Sequence, residues 1–144
     1  MKFEVSVERK YPHPISAVWK GLTTNEAISE WLLKTTNFEP TVGHHFQMTC
    51  IDNTGHLDIY RCQVLTVEPP HRMVWSWVLE GNEEQGLTEV EFQLKATDTG
   101  TTVTLFHRGD RDKGMLERFK SGWPHKLDRL ADGLDGRESS AAAT

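Results

Sequence analysis

The stretch Lys113-Gly-Met-Leu-Glu-Arg-Phe-Lys-Ser-Gly-Trp-Pro-His-Lys-Leu-Asp-Arg-Leu-Ala-Asp-Gly-Leu134 decides the fold. Its apolar residues Leu116, Phe119, Trp123, Leu127, Leu130 and Leu134 recur at steps of 3, 4, 4, 3 and 4, which keeps them on one face of an α-helix. Glu117, Arg118, Lys120, Lys126, Asp128 and Arg129 lie between them as a solvated face. Pro124 removes one backbone donor and Gly122 precedes it by two residues, which predicts a single helix kinked at this step rather than two helices. A long helix with one apolar face must lie on something. The preceding half of the chain reads as strands, so that partner is a sheet.

Working outward, Phe3 to Tyr11 alternates as a half-buried strand. Pro12-His13-Pro14 ends it, and Pro14 suits a first helical turn. Ile15, Val18, Trp19 and Leu22 mark one short helix, and Thr23-Thr24-Asn25 caps a second carrying Ala27, Ile28, Trp31 and Leu32. Asn37 to Glu39 reads as a short edge strand. His44 to Ile51, Leu57 to Val67, Arg72 to Leu79, Thr88 to Lys95 and Thr102 to Arg108 follow as strands joined by turns, among them Asn53-Thr54-Gly55 and the polar loop Gly81 to Gly86. Consecutive hairpins make the sheet antiparallel, and strands segregated from helices make the class α+β. A single domain is expected over 1–134, with 135–144 a disordered tail.

The net charge of −5 argues against a nucleic-acid partner, since phosphate binding needs a basic stripe. No apolar run approaches the ~20 residues of a membrane span, and Met1-Lys-Phe-Glu-Val5 has no secretory apolar core, so a cytoplasmic protein with reduced cysteines is expected. If Asn53-Thr54-Gly55 is a hairpin tip, Cys50 pairs near Ile59 or Tyr60, leaving Cys62 out of bridging register.

Several segments together resemble a known family. Pro14–Thr23, Glu30-Trp31-Leu32 and Val42-Gly43 with Phe46 resemble the opening of the START-like (Bet v-like, helix-grip) superfamily. Within it they are most similar to the branch named for the activator of heat-shock protein ninety ATPase homologues. Val64–Pro70 followed by Met73–Trp77 is similar to that family's central hairpin, Gly100–His107 to its last strand, and Gly122-Trp123-Pro124 with Leu127–Leu130 to its closing helix. The resemblance implies a curved antiparallel sheet of six or seven strands gripping the C-terminal helix, with two short helices after the first strand. It also implies a cavity between sheet and helix that in relatives takes hydrophobic molecules. Chemistry does not follow, because the superfamily includes lipid carriers, hormone receptors, polyketide cyclases and chaperone cofactors.

The candidate cavity residues are Trp31, Phe46, Met48, Trp75, Trp77, Phe92, His107, Phe119 and Trp123, the large or polar side chains on the inward phases. For these residues two readings stand side by side: a filled core, or the walls of an apolar pocket in which His107 is a polar anchor. Scattered histidines and cysteines without CxxC or HxxxH spacing give no metal site, and no cofactor is expected. Glu89 and Glu91, two apart on the solvent face of one strand, do not make a facing acid pair. No nucleophile motif or phosphate loop is present. The leading expectation is non-catalytic binding of an apolar or aromatic small molecule. The alternatives are a polyketide cyclase or aromatase with His107, Tyr60 or Asp58 steering the substrate, and a chaperone contact.

Overall fold

The computed structural model describes the backbone of residues 2–51, 54–80, 88–110 and 113–143, and the side chains of 4–51, 54–80, 88–109 and 120–136. The polar loop from Gly81 and the tip residue Asn53 lie outside the described residues. The elements run β1 (Lys2–Tyr11), α1 (Ile15–Thr23), α2 (Asn25–Trp31), β2 (Lys34–Thr36), β3 (His45–Ile51), β4 (Leu57–Glu68), β5 (Arg72–Leu79), β6 (Thr88–Thr97), β7 (Gly100–Asp110) and α3 (Lys113–Ala143). All strands form one 7-stranded antiparallel sheet in the order β1-β7-β6-β5-β4-β3-β2. The α+β helix-grip architecture read from the sequence is the observed one. The first strand pairs with the last, so β5 is the central strand.

Alternation sets the faces. One cross-strand row runs Val5, His107, Val90, Trp75, Val64 and the next Val7, Leu105, Phe92, Met73, Val67, all toward α3. Between these rows on β4 the register shifts from Val64 to Thr66, a bulge that leaves Leu65 without a Cα partner and exposed. The bulge re-phases β4, so that Val67 rather than Thr66 falls on the inward side. At the other end of the sheet, the β6–β7 turn presses against β1. A Cβ on Gly100, which has φ +153, would stand 2.0 Å from the Tyr11 carbonyl oxygen, so only glycine fits there.

The helix α3 is continuous with Pro124 inside it. Its described stripe, Trp123, Leu127, Leu130 and Leu134, is buried, and the side chains of Leu116 and Phe119 lie outside the described residues. Three groups from β1 and the following turn clamp this helix. The Tyr11 hydroxyl donates to the Leu127 carbonyl at 2.9 Å, Arg9 pairs with Asp128 at 3.3 Å, and the buried His13 meets Asp135 at 2.7 Å. The helix backbone continues to Ala143, past the expected end of the domain at Leu134.

Four local expectations are corrected. The short edge strand is Lys34–Thr36, and Asn37, at φ 63, lies beyond it in the left-handed region where a strand cannot continue. The Thr24 side chain makes no cap; its hydroxyl donates back to the Lys20 carbonyl, while Asn25 Oδ1 accepts from the Phe38 amide. Cys50 lies opposite Asp58, not Ile59 or Tyr60, since Ile51 and Leu57 are the last pair of the hairpin; both cysteines are free. Finally, Glu91 is not on a solvated surface. It is buried between Arg72 at 2.8 Å and Arg108 at 3.0 Å on the outer face of the central strands. Burial would raise its pKa, but hydrogen bonds from Gln93, Arg72 and Arg108 outweigh that and lower it to about 2.

Candidate functional site

Most of the space between sheet and helix is filled. Phe38, Phe46, Trp75, Phe92 and Trp31 form a chain of edge-to-face aromatic contacts with centroids 4.8–6.2 Å apart. Met48 is fully buried beside them, and the Trp31 indole N–H is satisfied by the Gly21 carbonyl at 3.0 Å. Of the nine residues singled out in the sequence, Trp31, Phe46, Met48, Trp75 and Phe92 therefore sit in the packed core. The backbone of Phe119 lies on α3, and its side chain is outside the described residues.

Trp77 and Trp123 sit elsewhere. Together with Leu32, Leu33, Cys50, Tyr60, Gly122 and Lys126 they line a cleft of ≈ 210 Å³. The inward phases of β3, β4 and β5 bring Cys50, Tyr60 and Trp77 to one end of the sheet, the turn after α2 supplies the leucines, and α3 closes the other side. Trp77 meets Tyr60 at 5.0 Å and Trp123 at 5.7 Å between ring centroids. A Cβ on Gly122 would find nothing within 4 Å, so the glycine leaves the helix wall open at this point.

His107 stands behind the two indoles rather than in the cleft. Its Nδ1 accepts from Trp123 Nε1 at 2.9 Å, and an indole can only donate, so the proton of the neutral ring is on Nε2. Nε2 then donates to Thr88 Oγ1 at 2.8 Å, and the threonine hydroxyl donates to the Trp77 carbonyl at 2.9 Å. This relay fixes both tryptophans from β6 and β7. It uses up the Trp123 N–H.

The Trp77 N–H is different. Trp77 is buried and its Nε1 has no hydrogen-bond partner, a state shared with Trp75 deeper in the core. A buried donor left unpaired costs about 1–3 kcal/mol. At the mouth, Lys126 is half-buried; its pKa is lowered first by burial and then by the neighbouring Arg129. The Cys62 thiol, by contrast, is pushed up by burial and is held as the neutral thiol away from the cleft.

Sequence reasoning missed Leu32, Leu33, Cys50, Gly122 and Lys126 as cleft residues. The phase of Cys50 with Phe46 and Met48 was a signal for one of them. Lys126 was assigned to the solvated face because it flanks the stripe, and its proximity to the strand ends is a tertiary property. Among the described residues no group of three His, Cys, Asp or Glu side chains could hold a metal ion, and no helix is long and apolar enough to cross a membrane. A larger depression of ≈ 740 Å³ on the outer face is lined by charges of both signs, including Glu8, Lys10, Glu68 and Arg72.

A curved antiparallel sheet wrapped on a C-terminal helix, with an aromatic cleft at one end, defines a protein of the START-like helix-grip class. Within that class the chain belongs to the family described as Activator of Hsp90 ATPase homolog 1-like protein, whose model matches residues 12–135. A solved protein from Mesorhizobium loti is 33% identical, with a TM-score of 0.82 over 92% of this chain and 97% of that one. A protein from Chromobacterium violaceum, at 18% identity, shares the fold alone, with a TM-score of 0.84 over 91% and 96% of the two chains. So does DynU16, a protein in the dynemicin biosynthetic locus, at 24% identity and a TM-score of 0.77, covering 92% of this chain and 47% of that one. No curated protein matches.

Proposed function

We propose that this protein binds a small apolar or aromatic molecule, without chemical conversion, in the cleft between Trp77 and Trp123. The observation that carries this reading is the contrast within the interior. The core around Trp75 is filled, whereas the Trp77–Trp123 end is open over ≈ 210 Å³. Indole walls held by the His107 relay give a rigid apolar slot, and rigidity lowers the entropic cost of binding. The volume is below the ~300–1,000 Å³ of drug-sized sites, so the ligand is small or enters only in part. Binding takes place in the cytoplasm, where the free Cys50 and Cys62 stay reduced.

The test fills the slot. Gly122→Leu adds a side chain where a Cβ meets nothing, and leucine favours a helix over glycine by roughly 1 kcal/mol, so folding is kept. A naphthalene-based fluorescent probe should bind the wild-type protein saturably and the variant at least tenfold more weakly. Equal binding by both proteins would place the probe elsewhere and reject the cleft.

The family's description supports a second reading, a chaperone contact that stimulates an ATPase. The exposed Ile51–Leu57 pair at the β3–β4 hairpin supports it too. Stimulation of a chaperone ATPase that Ile51→Ser with Leu57→Ser abolishes would favour it.

A further inference from the structure

We propose that the cleft is switched by acid: binding requires the neutral His107 ring, and a proton on its Nδ1 releases Trp123 from its place as a wall. This rests on the cleft being the binding site. His107 is fully buried behind the two indoles, and both of its ring nitrogens are engaged. Nδ1 accepts from Trp123 Nε1 at 2.9 Å, and Nε2 donates to Thr88 Oγ1 at 2.8 Å. Thr88 directs its own hydroxyl proton to the Trp77 carbonyl at 2.9 Å. The donors of this relay therefore run in one direction.

A second proton on the ring can go only to Nδ1, where it meets the Trp123 N–H. Both groups then donate and neither accepts, because an indole nitrogen cannot accept and an imidazolium has no free lone pair. The contact turns from a hydrogen bond into a repulsion, and the Trp123 side chain has to move. Trp123 lines the cleft beside Gly122 and Lys126 of α3. Its displacement changes the shape of the cleft, so proton and ligand oppose one another without sharing an atom. Trp77, tilted against the imidazole at 5.5 Å between centroids, is within the ~6 Å at which an aromatic ring attracts a cation. The charged ring keeps that neighbour and loses the other. Around His107 stand Val5 of β1, Val90 and Thr88 of β6, Trp77 of β5 and Trp123 of α3, and among these described neighbours none is charged. The adjacent Arg108 and Glu89 pair with each other at 3.9 Å on the opposite face of the sheet.

The probe is 1-naphthamide, uncharged throughout, titrated into the full chain from about pH 7.5 to about pH 5, a window spanning the ordinary imidazole value of about 6.5. A site that needs the neutral ring keeps its affinity above the titration of that ring and loses it as the pH falls through it. The wild type should bind at least about fivefold more weakly at the acid end. Its Trp123 N–H resonance should move with the same midpoint, while that of Trp31, bonded to Gly21, stays in place as the check on folding. Glu91, lowered to about 2, remains ionised across the window, so the ion pairs of the outer face persist. In His107→Asn the side-chain oxygen replaces Nδ1 as the acceptor for Trp123 and takes up no proton, so binding at neutral pH should be kept and the acid loss removed. Cys50, Tyr60 and Lys126, the other titrating groups of the cleft, are common to both proteins. A flat wild-type profile, or an acid loss that persists in His107→Asn, would overturn the switch while leaving apolar binding in place. If His107→Asn does not fold, the wild-type Trp123 resonance decides alone, and a position unchanged across the window overturns the proposal. No binding at neutral pH would reject the cleft reading along with it.

Discussion

Trp77 and Trp123 touch at 5.7 Å, yet their N–H groups are in opposite states, one unpaired and one bonded to His107. Substitution separates the two effects. Trp123→Phe keeps most of the ring but strips His107 Nδ1 of its donor, and should lower stability by about 1–3 kcal/mol. Trp123→Ala also opens a cavity and should lower it by about 3–5 kcal/mol in denaturant melts. If Trp123→Phe were as stable as the wild type, the relay would carry no energy. The inward phase of His107 was legible from the alternation of Val103 and Leu105. Its partners were not, because Thr88 and Trp123 reach it only through the sheet register and the seating of α3. Glu91 shows the same limit. Its position opposite Val74 on the central strands, with an arginine on either side, turns a solvent-phase carboxylate into a buried one. Because its folded pKa is lowered to about 2, it stabilises the fold above the ordinary carboxylate range, and that contribution is lost as the pH falls from about 4.5 to 2. Glu91→Gln should therefore lose up to about 3 kcal/mol at neutral pH and show a flatter acid limb than the wild type. A variant with an unchanged acid limb would mean that Glu91 is not held ionised.

At the scale of the element, α3 was the clearest signal in the sequence, and its stripe from Trp123 to Leu134 is buried. Leu127 and Leu130 are buried more completely than Trp123, whose ring forms a cleft wall instead of a core plug. That difference depends on where the helix meets the sheet end, which periodicity does not record. The β4 bulge did leave a trace: Val64 and Val67 are three apart, breaking the period of two. At the helix end, Leu134 is buried and Asp135 is bonded to His13. A chain ending after Gly136 should melt within about a degree of the full-length protein. Ending it after Leu134 should lower the melting temperature by several degrees, since about 1 kcal/mol corresponds to roughly 2–8 °C over the usual domain sizes. A full-size loss already present on removing 137–144 would show that the end of the helix docks.

For the whole molecule, the order of strands and helices in the sequence was enough to give the architecture, because antiparallel hairpins and one long amphipathic helix admit few arrangements. The cleft was less legible. Pattern could place large aromatics on the inner face, but it could not tell which of them would interlock and which would be left at an opening. Trp31, Trp75 and Phe92 interlock, while Trp77 and Trp123 border free volume. The indole N–H resonances test this most directly, since the 5 tryptophans each report their own surroundings in a proton–nitrogen correlation spectrum. On titration with the naphthalene-based probe, the Trp77 and Trp123 N–H resonances should both move saturably as the probe enters between the two indoles. Those of Trp31, bonded to Gly21, and of Trp75, enclosed in the core, should stay in place. A spectrum in which Trp77 does not move, or in which Trp75 moves instead, would contradict the account.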